Sequence, residues 1–364
     1  MVTKSGHLEP SSDPRIVVLE SAHPVPDVRS EKAASALGAF LARLSPDDLL
    51  FFLVTGGASA LLTAPAPGIT LADKQAVTRL LLACGADIHA INTVRRHLSH
   101  LKGGGVIRTT HGARIVTLAV SDVIGDQPES IGSGMTVPDS TTFGDALRVA
   151  KQFALERDAP SAVMDHLRRG ADGEVEDTLK PGDRRFEASE FHIIASSSDA
   201  LRGAMEEARK HFNHVESVSM PLQGSVEHCA EEIESVINRL QLCGSEQWAL
   251  IAGGEPEVLM TGDGLGGRNQ HLALLLAKAM RDQRGVRGLV AGTDGTDGPT
   301  EAAGAFFDST TAARGREVHL KLSDHLARFD SYAFFSATSD LFVTGPTGTN
   351  VMDLLVVTGG EHVS

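Results

Sequence analysis

Four glycine-rich segments, each following an apolar run, carry residue types suited to anion chemistry. Glycines let backbone N–H groups converge on an anion, and a helix start adds its dipole. The first segment is Thr55-Gly56-Gly57-Ala58-Ser59-Ala60, with Gly56, Gly57 and Ser59 as candidate ligand contacts. A tight strand-to-helix turn with no ligand is the competing reading. The second, Asn92 to Gly104, gathers Arg95, Arg96, His97 and Lys102. Helical spacing would put Arg95 and Ser99 on one face with Lys102 nearby. A solvated basic helix face is the bland alternative. His97 and His100 have no matching further ligands, so zinc is not expected. In the third, Ser121 to Asp126 and then Gly132 to Asp139, Asp122 and Asp126 sit at a strand end. Carboxylates there suit Mg²⁺, or they simply form turns. The fourth runs from Gly262 to Gln270, where Gly264, Gly266 and Gly267 lead into Arg268 and Asn269. An arginine so placed can stabilise charge on a transferring phosphoryl group. Two later stretches add Asp294 and Asp297 (Gly292 to Thr300), and Thr347 and Asn350 (Thr344 to Asn350), donors without positive charge.

The elements that must hold these loops alternate between β-branched runs and Ala/Leu-rich helical stretches. Strands are expected at Arg15–Leu19, Leu49–Val54, Arg114–Val120, His192–Ala195, Trp248–Ala252, Arg287–Ala291, Leu341–Thr344 and Leu354–Val357. Leu49–Val54 reads as a buried parallel strand. Helices are expected at Glu31–Leu44, Leu71–Cys84 with Gly85 as C-cap, Ala200–Phe212, Val226–Leu242 with Ser225 as N-cap, and Asn269–Met280. The charged stretch from Glu156 to Ala188 reads as a surface helix plus loop. This βαβα order predicts three-layer α/β/α domains with mostly parallel sheets. Ligands in such sheets bind outside the carboxyl ends of the strands.

Composition narrows the class. With 364 residues, the chain is expected to form two domains. Its 41% hydrophobic and 22% charged content is that of a globular protein. A net charge of −14 argues against nucleic acid as a partner, and requires any positive charge for an anionic ligand to be local. Three widely spaced cysteines indicate neither a disulfide framework nor a zinc site. There is no signal-peptide pattern and no apolar run long enough for a membrane span, so a cytoplasmic location is expected.

Gly262, Gly264 and Gly267 also satisfy G-x-G-x-x-G, with Asp294 as a ribose-binding acid, which would indicate NAD. Two features weaken that reading. Glu257–Thr261 is expected to pair as a hairpin with Trp248–Ala252, not to form a buried parallel first strand. The spacing to Asp294 also exceeds the ~20 residues of the fingerprint.

Taken together, the segments resemble the type-2 glycerate kinase family, whose members carry a MOFRL domain. The resemblance rests on Ala22 to Asp27, Thr55 to Ala60, Ile91 to Gly104, Ser121 to Asp139, Gly262 to Gln270, Gly292 to Ala303 and Thr344 to Asp353. It spans nearly the whole chain, and G-G-R-N-Q, G-T-D-G-T-D-G-P-T and T-G-P-T-G-T-N-V are near-verbatim matches. It implies two α/β/α domains, residues 1–240 Rossmann-like with a mostly parallel sheet and residues 241–364 of MOFRL type with a mixed sheet, with the active site in the cleft between them. It further implies ATP-dependent phosphorylation of D-glycerate to 2-phosphoglycerate with Mg²⁺. Arg268, Lys102 and Asp122 are then the catalytic candidates. Gly56, Gly57, Ser59, Arg95, Gly264, Gly266, Gly267, Asn269, Asp294, Asp297, Thr347 and Asn350 bind substrate or nucleotide, and Asp122 and Asp126 hold metal. The oligomeric state is left open, with a homodimer as the candidate.

Two departures accompany the resemblance. Met135 stands where the family has a proline, removing a rigid turn element. Family members also carry a further βα unit, with a G-K-A lysine that assists catalysis, before the segment matching Val2 to His7. Its absence from this sequence predicts a gap in the first sheet or an uncovered core face, with Lys4 and Lys102 the nearest substitutes for the lysine. Some family members are described as hydroxypyruvate reductases. An NAD(P)H-dependent reductase and a non-catalytic phosphometabolite-binding protein are therefore the competing functions.

Overall fold

The computed structural model describes residues 1–8, 11–218, 220–242, 247–259 and 262–360. The chain divides into two compact units. One is Met1–Ala119 with Asp126–Ile194; the other is Val120–Gly125 with the chain from Ala195 onward. The expected boundary at residue 240 falls inside the helix Val226–Leu242 of the second unit.

In the first unit, β1 (Val2–Lys4) pairs in parallel with β2 (Leu19–Ser21). The expected strand Arg15–Leu19 is thus displaced toward its C-terminal end. Asp13 explains this: it accepts from the Arg15 N–H at 2.9 Å and its carbonyl from the Ile16 N–H at 3.0 Å. That turn consumes N–H groups a ladder would need.

A separate three-stranded sheet orders β3 (Leu49–Val54), β4 (Arg114–Val120) and β5 (Ser189–Ala195), with β3 and β4 parallel. β3 is parallel as expected but not fully buried. Phe52 and Val54 are inside, while Phe51 and Leu53 are 58% and 71% exposed. Leu49 and Ile194 are also exposed. The first unit's core instead gathers Val77, Leu81, Ile91, Val94, Phe143 and Leu167 from helices.

The helix Leu71–Ala83 begins with a capping box: the Asp73 N–H donates to Thr70 Oγ1 at 3.1 Å, and the Thr70 N–H to Asp73 Oδ2 at 2.9 Å. Its inward face is Lys74, Val77 and Leu81, spaced as one helical stripe. Gly85, at φ 70°, ends this helix as expected. The helix Ile88–His97 is capped by Asp87 and packs beside it.

The second unit is built on a mixed sheet. Its strands run β11 (Leu341–Phe342), β10 (Gly304–Asp308), β9 (Arg287–Gly292), β12 (Asp353–Gly359), β8 (Trp248–Glu257) and β6 (His214–Ser217), with β7 (Leu222–Ser225) also on β8. β6 and β7 run parallel to β8, whereas β12 is antiparallel to both β8 and β9. Trp248, Leu250, Leu272, Phe307, Phe334 and Leu355 lie in one core cluster. The expected hairpin within 248–261 is absent: β8 continues through Gly253 and Gly254 to Glu257. A Cβ on Gly254 would come within 2.2 Å of the Leu222 carbonyl oxygen, so these glycines admit a close neighbouring strand and mark no turn. Met260 and Thr261 of that expectation lie outside the described residues. The helices Val226–Leu242 and Arg268–Ala279 and strand β4 match their expected spans to within a residue. Ser225 Oγ accepts from the His228 N–H at 3.2 Å, as an N-cap should. No described helix is long and apolar enough to cross a membrane.

Candidate functional site

Three of the expected site residues, Ser59, Arg95 and Lys102, come together in the first unit around one hydroxyl. Lys102 Nζ donates to Ser59 Oγ at 2.7 Å and to the Ser59 carbonyl at 2.8 Å, and Arg95 Nη2 donates to the same Oγ at 2.8 Å. Ser133 Oγ lies 2.8 Å away. A hydroxyl has two acceptor lone pairs and one proton. With both lone pairs engaged by cations, Ser59 must donate its proton to Ser133. The turn leading to Ser59 holds Gly57 in the left-handed region at φ 78°. The N–H groups of Gly56 and Gly57 donate to no acceptor among the described residues.

The electrostatics of this group are unusual. Burial holds the Lys102 ammonium well below its ordinary pKa, with Arg95 and Lys74 adding repulsion. Burial also lowers Arg95. Lys74, absent from the candidates named above, is buried, and its Nζ has no hydrogen-bond partner among the described residues. Burial first, then Arg95, brings its pKa down to about 7. Only its place on an otherwise apolar helix stripe could have singled it out.

Neighbouring residues of the same basic stretch do other work. Arg96 turns the other way, donating to Asp139 at 2.5 Å. Burial alone would raise Asp139, but Arg96 and Thr141 hold it below its ordinary value. His97 is tied to the Thr93 carbonyl at 2.8 Å and to Asp177 at 3.0 Å. The helix ends at His97, so Ser99 does not share a helical face with Arg95; its Oγ donates to the Ala64 carbonyl. Gly103 and Gly104 give their N–H groups to the carbonyls of Ser133 and Gly134, which zips the two loops together. The charged stretch after residue 156 supplies Asp177 and Leu179 to this framework, beyond the surface role expected of it.

In the second unit, Arg268 opens the helix Arg268–Ala279 and is clamped by carboxylates. Its Nε donates to Asp353 Oδ2 at 2.6 Å, its Nη2 to Asp353 Oδ1 at 3.2 Å and its Nη1 to Glu255 Oε1 at 2.8 Å. Although burial opposes it, Asp353 and Glu255 raise the guanidinium's pKa further. A guanidinium carries five N–H donors, so one on Nη1 and one on Nη2 remain for a ligand. Burial raises Asp122, with Glu255 adding to the effect. Burial likewise raises Asp353 against the pull of Arg268. Asp353 and Glu255 lie 85 and 13 positions from Arg268, so local spacing does not point to either.

Several expected ligand contacts have structural duties here. Asp297 is buried and accepts from the N–H groups of Asn269 at 3.0 Å and Gln270 at 2.8 Å, capping the helix from a distance. Burial pushes it up to about 6. Asn269 Nδ2 donates to Asp353 at 3.0 Å. Asp294 accepts from Thr296 in a local turn. Thr347 Oγ1 donates to the Thr293 carbonyl at 2.6 Å, and Asn350 Oδ1 accepts from the Met352 N–H. A Cβ at Gly264, Gly266 or Gly267 would come within 2.5 Å of Arg328, Ser331 or Asp297 respectively. The glycines of this loop therefore have a packing reason independent of any ligand.

Asp122 belongs to the second unit and Asp126 to the first. Among the described residues, no group of three or more His, Cys, Asp or Glu side chains is arranged to hold an ion.

Comparison with known proteins places these groups in context. Residues 1–168 match the model of a domain of unknown function, DUF4147, and residues 248–353 match the MOFRL family. A glycerate 2-kinase of Pyrococcus horikoshii is 38% identical over 350 residues, covering 94% of this chain and 78% of the relative. An Agrobacterium vitis protein provisionally named a hydroxypyruvate reductase is 38% identical over 366 residues, covering 98% and 91%. The crystal structure of a Thermotoga maritima glycerate kinase superposes with a TM-score of 0.87 at 36% identity, covering 98% of this chain and 84% of that one.

Proposed function

The chain belongs to the type-2 glycerate kinase family, and from that premise we propose that it transfers the terminal phosphoryl group of ATP to the 2-hydroxyl of D-glycerate. The products are 2-phosphoglycerate and ADP. Phosphoryl transfer asks a protein mainly to position its reactants and to neutralise oxygen charge. The observation that carries the reading is the Ser59 group, where Arg95 and Lys102 converge on one acceptor oxygen in an otherwise acidic protein. Arg268 supports it from the second unit: two carboxylates hold its plane rigid while two N–H groups stay available. Asp122, whose raised pKa favours taking up a proton, is suited to accept the glycerate hydroxyl proton. Bound magnesium would add charge neutralisation on the phosphates. With few protein ligands on offer, it would rely on phosphate and water oxygens.

The reductase alternative draws no support from the G-x-G-x-x-G glycines. Gly262 and Gly264 lie against the Arg328 backbone and Gly267 against Asp297, where a dinucleotide fingerprint needs room for a pyrophosphate. The test is ADP release from ATP and D-glycerate, with the product passed directly to enolase, which accepts 2-phosphoglycerate and not the 3-isomer. ADP release with enolase turnover is expected. No ADP above background would overturn the proposal.

A further inference from the structure

Lys74 is the one member of the first-unit cation group with nothing to bind. Its Nζ is shielded from solvent and has no partner among the described residues, while Lys102 and Arg95 both reach Ser59. Lysines are almost never buried unless paired. A Leu or Met at this point of the Lys74–Val77–Leu81 stripe would pack without any desolvation cost. The charges acting on Lys74 come from each neighbouring element: Arg95 from the helix Ile88–His97, Lys102 from the loop beyond it, His100 from the same loop, and Glu31 from the helix Val28–Leu41. Glu31 is the only carboxylate among them, and it forms no ion pair with Lys74.

We propose that Lys74 binds phosphate: with Arg95 and Lys102 it forms a three-cation seat for a phosphate group of the reaction, that of the nucleotide or of the phosphorylated product. The proposal rests on the kinase reading for the identity of those ligands, and on the geometry for the site itself. Charge counting selects phosphate over the substrate's carboxylate. One carboxylate would leave two of three buried cations unmatched, whereas a phosphate brings about two negative charges near neutral pH and three acceptor oxygens. Ser59 Oγ already accepts from two of the cations as a phosphate oxygen would. Gly56 and Gly57, whose N–H groups have no acceptor among the described residues, precede Ser59 in the same turn. Lys74, with a pKa near 7, can take its proton as the anion arrives.

Calorimetric titration of the full chain with inorganic phosphate, ATP, 2-phosphoglycerate and D-glycerate tests this in the wild type, Lys74→Met and Lys74→Arg. Loss of one charged hydrogen bond should weaken phosphate-bearing ligands about tenfold or more in Lys74→Met. D-glycerate affinity should move less than about twofold, and Lys74→Arg should restore most of the loss. Weakening of ATP alone identifies the nucleotide as the occupant, and weakening of 2-phosphoglycerate alone identifies the product. Unchanged phosphate binding in folded Lys74→Met would overturn the proposal, as would a loss confined to D-glycerate. Should Lys74→Met fail to fold, Lys74→Gln gives the same comparison. Because the readout is binding, a wild type that binds phosphate through Lys74 but releases no ADP would sink the kinase reading and leave this one standing.

Discussion

The two charge groups follow opposite rules. In the first unit, Arg95 and Lys102 share the Ser59 hydroxyl as acceptor, Lys74 Nζ has none, and no carboxylate is bonded to any of the three among the described residues. In the second, a single arginine is wrapped by Asp353 and Glu255, with Asp122 nearby. Burying cations without counter-charge costs stability, so the first arrangement stores a demand for an anion. The second is already neutralised, and its carboxylates hold the guanidinium where its remaining donors point. On the proposed reading, one group binds by charge and the other acts by orientation.

The strongest challenge to this contrast is Arg268→Ala. If the clamped guanidinium stabilises transferring charge, kcat/KM for ADP release should fall by about a thousandfold or more. Arg268→Lys should rescue little, because an ammonium lacks the planar fork that Asp353 engages. A fall of only a fewfold would mean that Arg268 is a structural ion pair. Asp353→Asn comes next. It leaves Arg268 and Asn269 without their charged acceptor, and unfolding in urea should show a loss of about 2–4 kcal/mol.

Lys74→Met should move stability the other way. Removing an unpaired buried amine should raise the unfolding free energy at pH 7 by about 1–2 kcal/mol while phosphate affinity drops. A destabilised variant would mean that Lys74 has a partner in solution and would erase the contrast between the units.

The smallest effect per step is in pH. Lys74 has a folded pKa of about 7 against 10.5 ordinarily. Between these values the unfolded chain binds the extra proton, so its penalty is full below pH 7 and fades as pH rises toward 10.5. Wild-type stability should climb relative to Lys74→Met across that window, by less than ~1.4 kcal/mol per pH unit. Phosphate should flatten the climb by raising the folded pKa. A parallel pH response in the two proteins would contradict the assignment.

Much of this molecule could be read in one dimension. Strands β3 and β4 and the helices Val226–Leu242 and Arg268–Ala279 stand where apolar periodicity puts them. The basic character of the Arg95–Lys102 stretch and the prominence of Arg268 were also visible, because charge type and glycine spacing are local properties. Local reading failed where a residue's reason lay elsewhere in the chain. Gly253 and Gly254 read as a turn, yet they keep β8 straight beneath β7. Arg95 and Arg96 look alike in sequence, but only the fold sends one to Ser59 and the other to Asp139.

The sequence by itself determined the α/β alternation, the family and the set of charged side chains available for anion chemistry. These depend on residue type and near-neighbour spacing. Only the tertiary structure decided which charges are compensated. Asp353 reaches Arg268 across 85 positions, and Lys74 is left without a partner among the described residues. Burial and counter-charge are set by what packs alongside, and spacing along the chain carries no record of that.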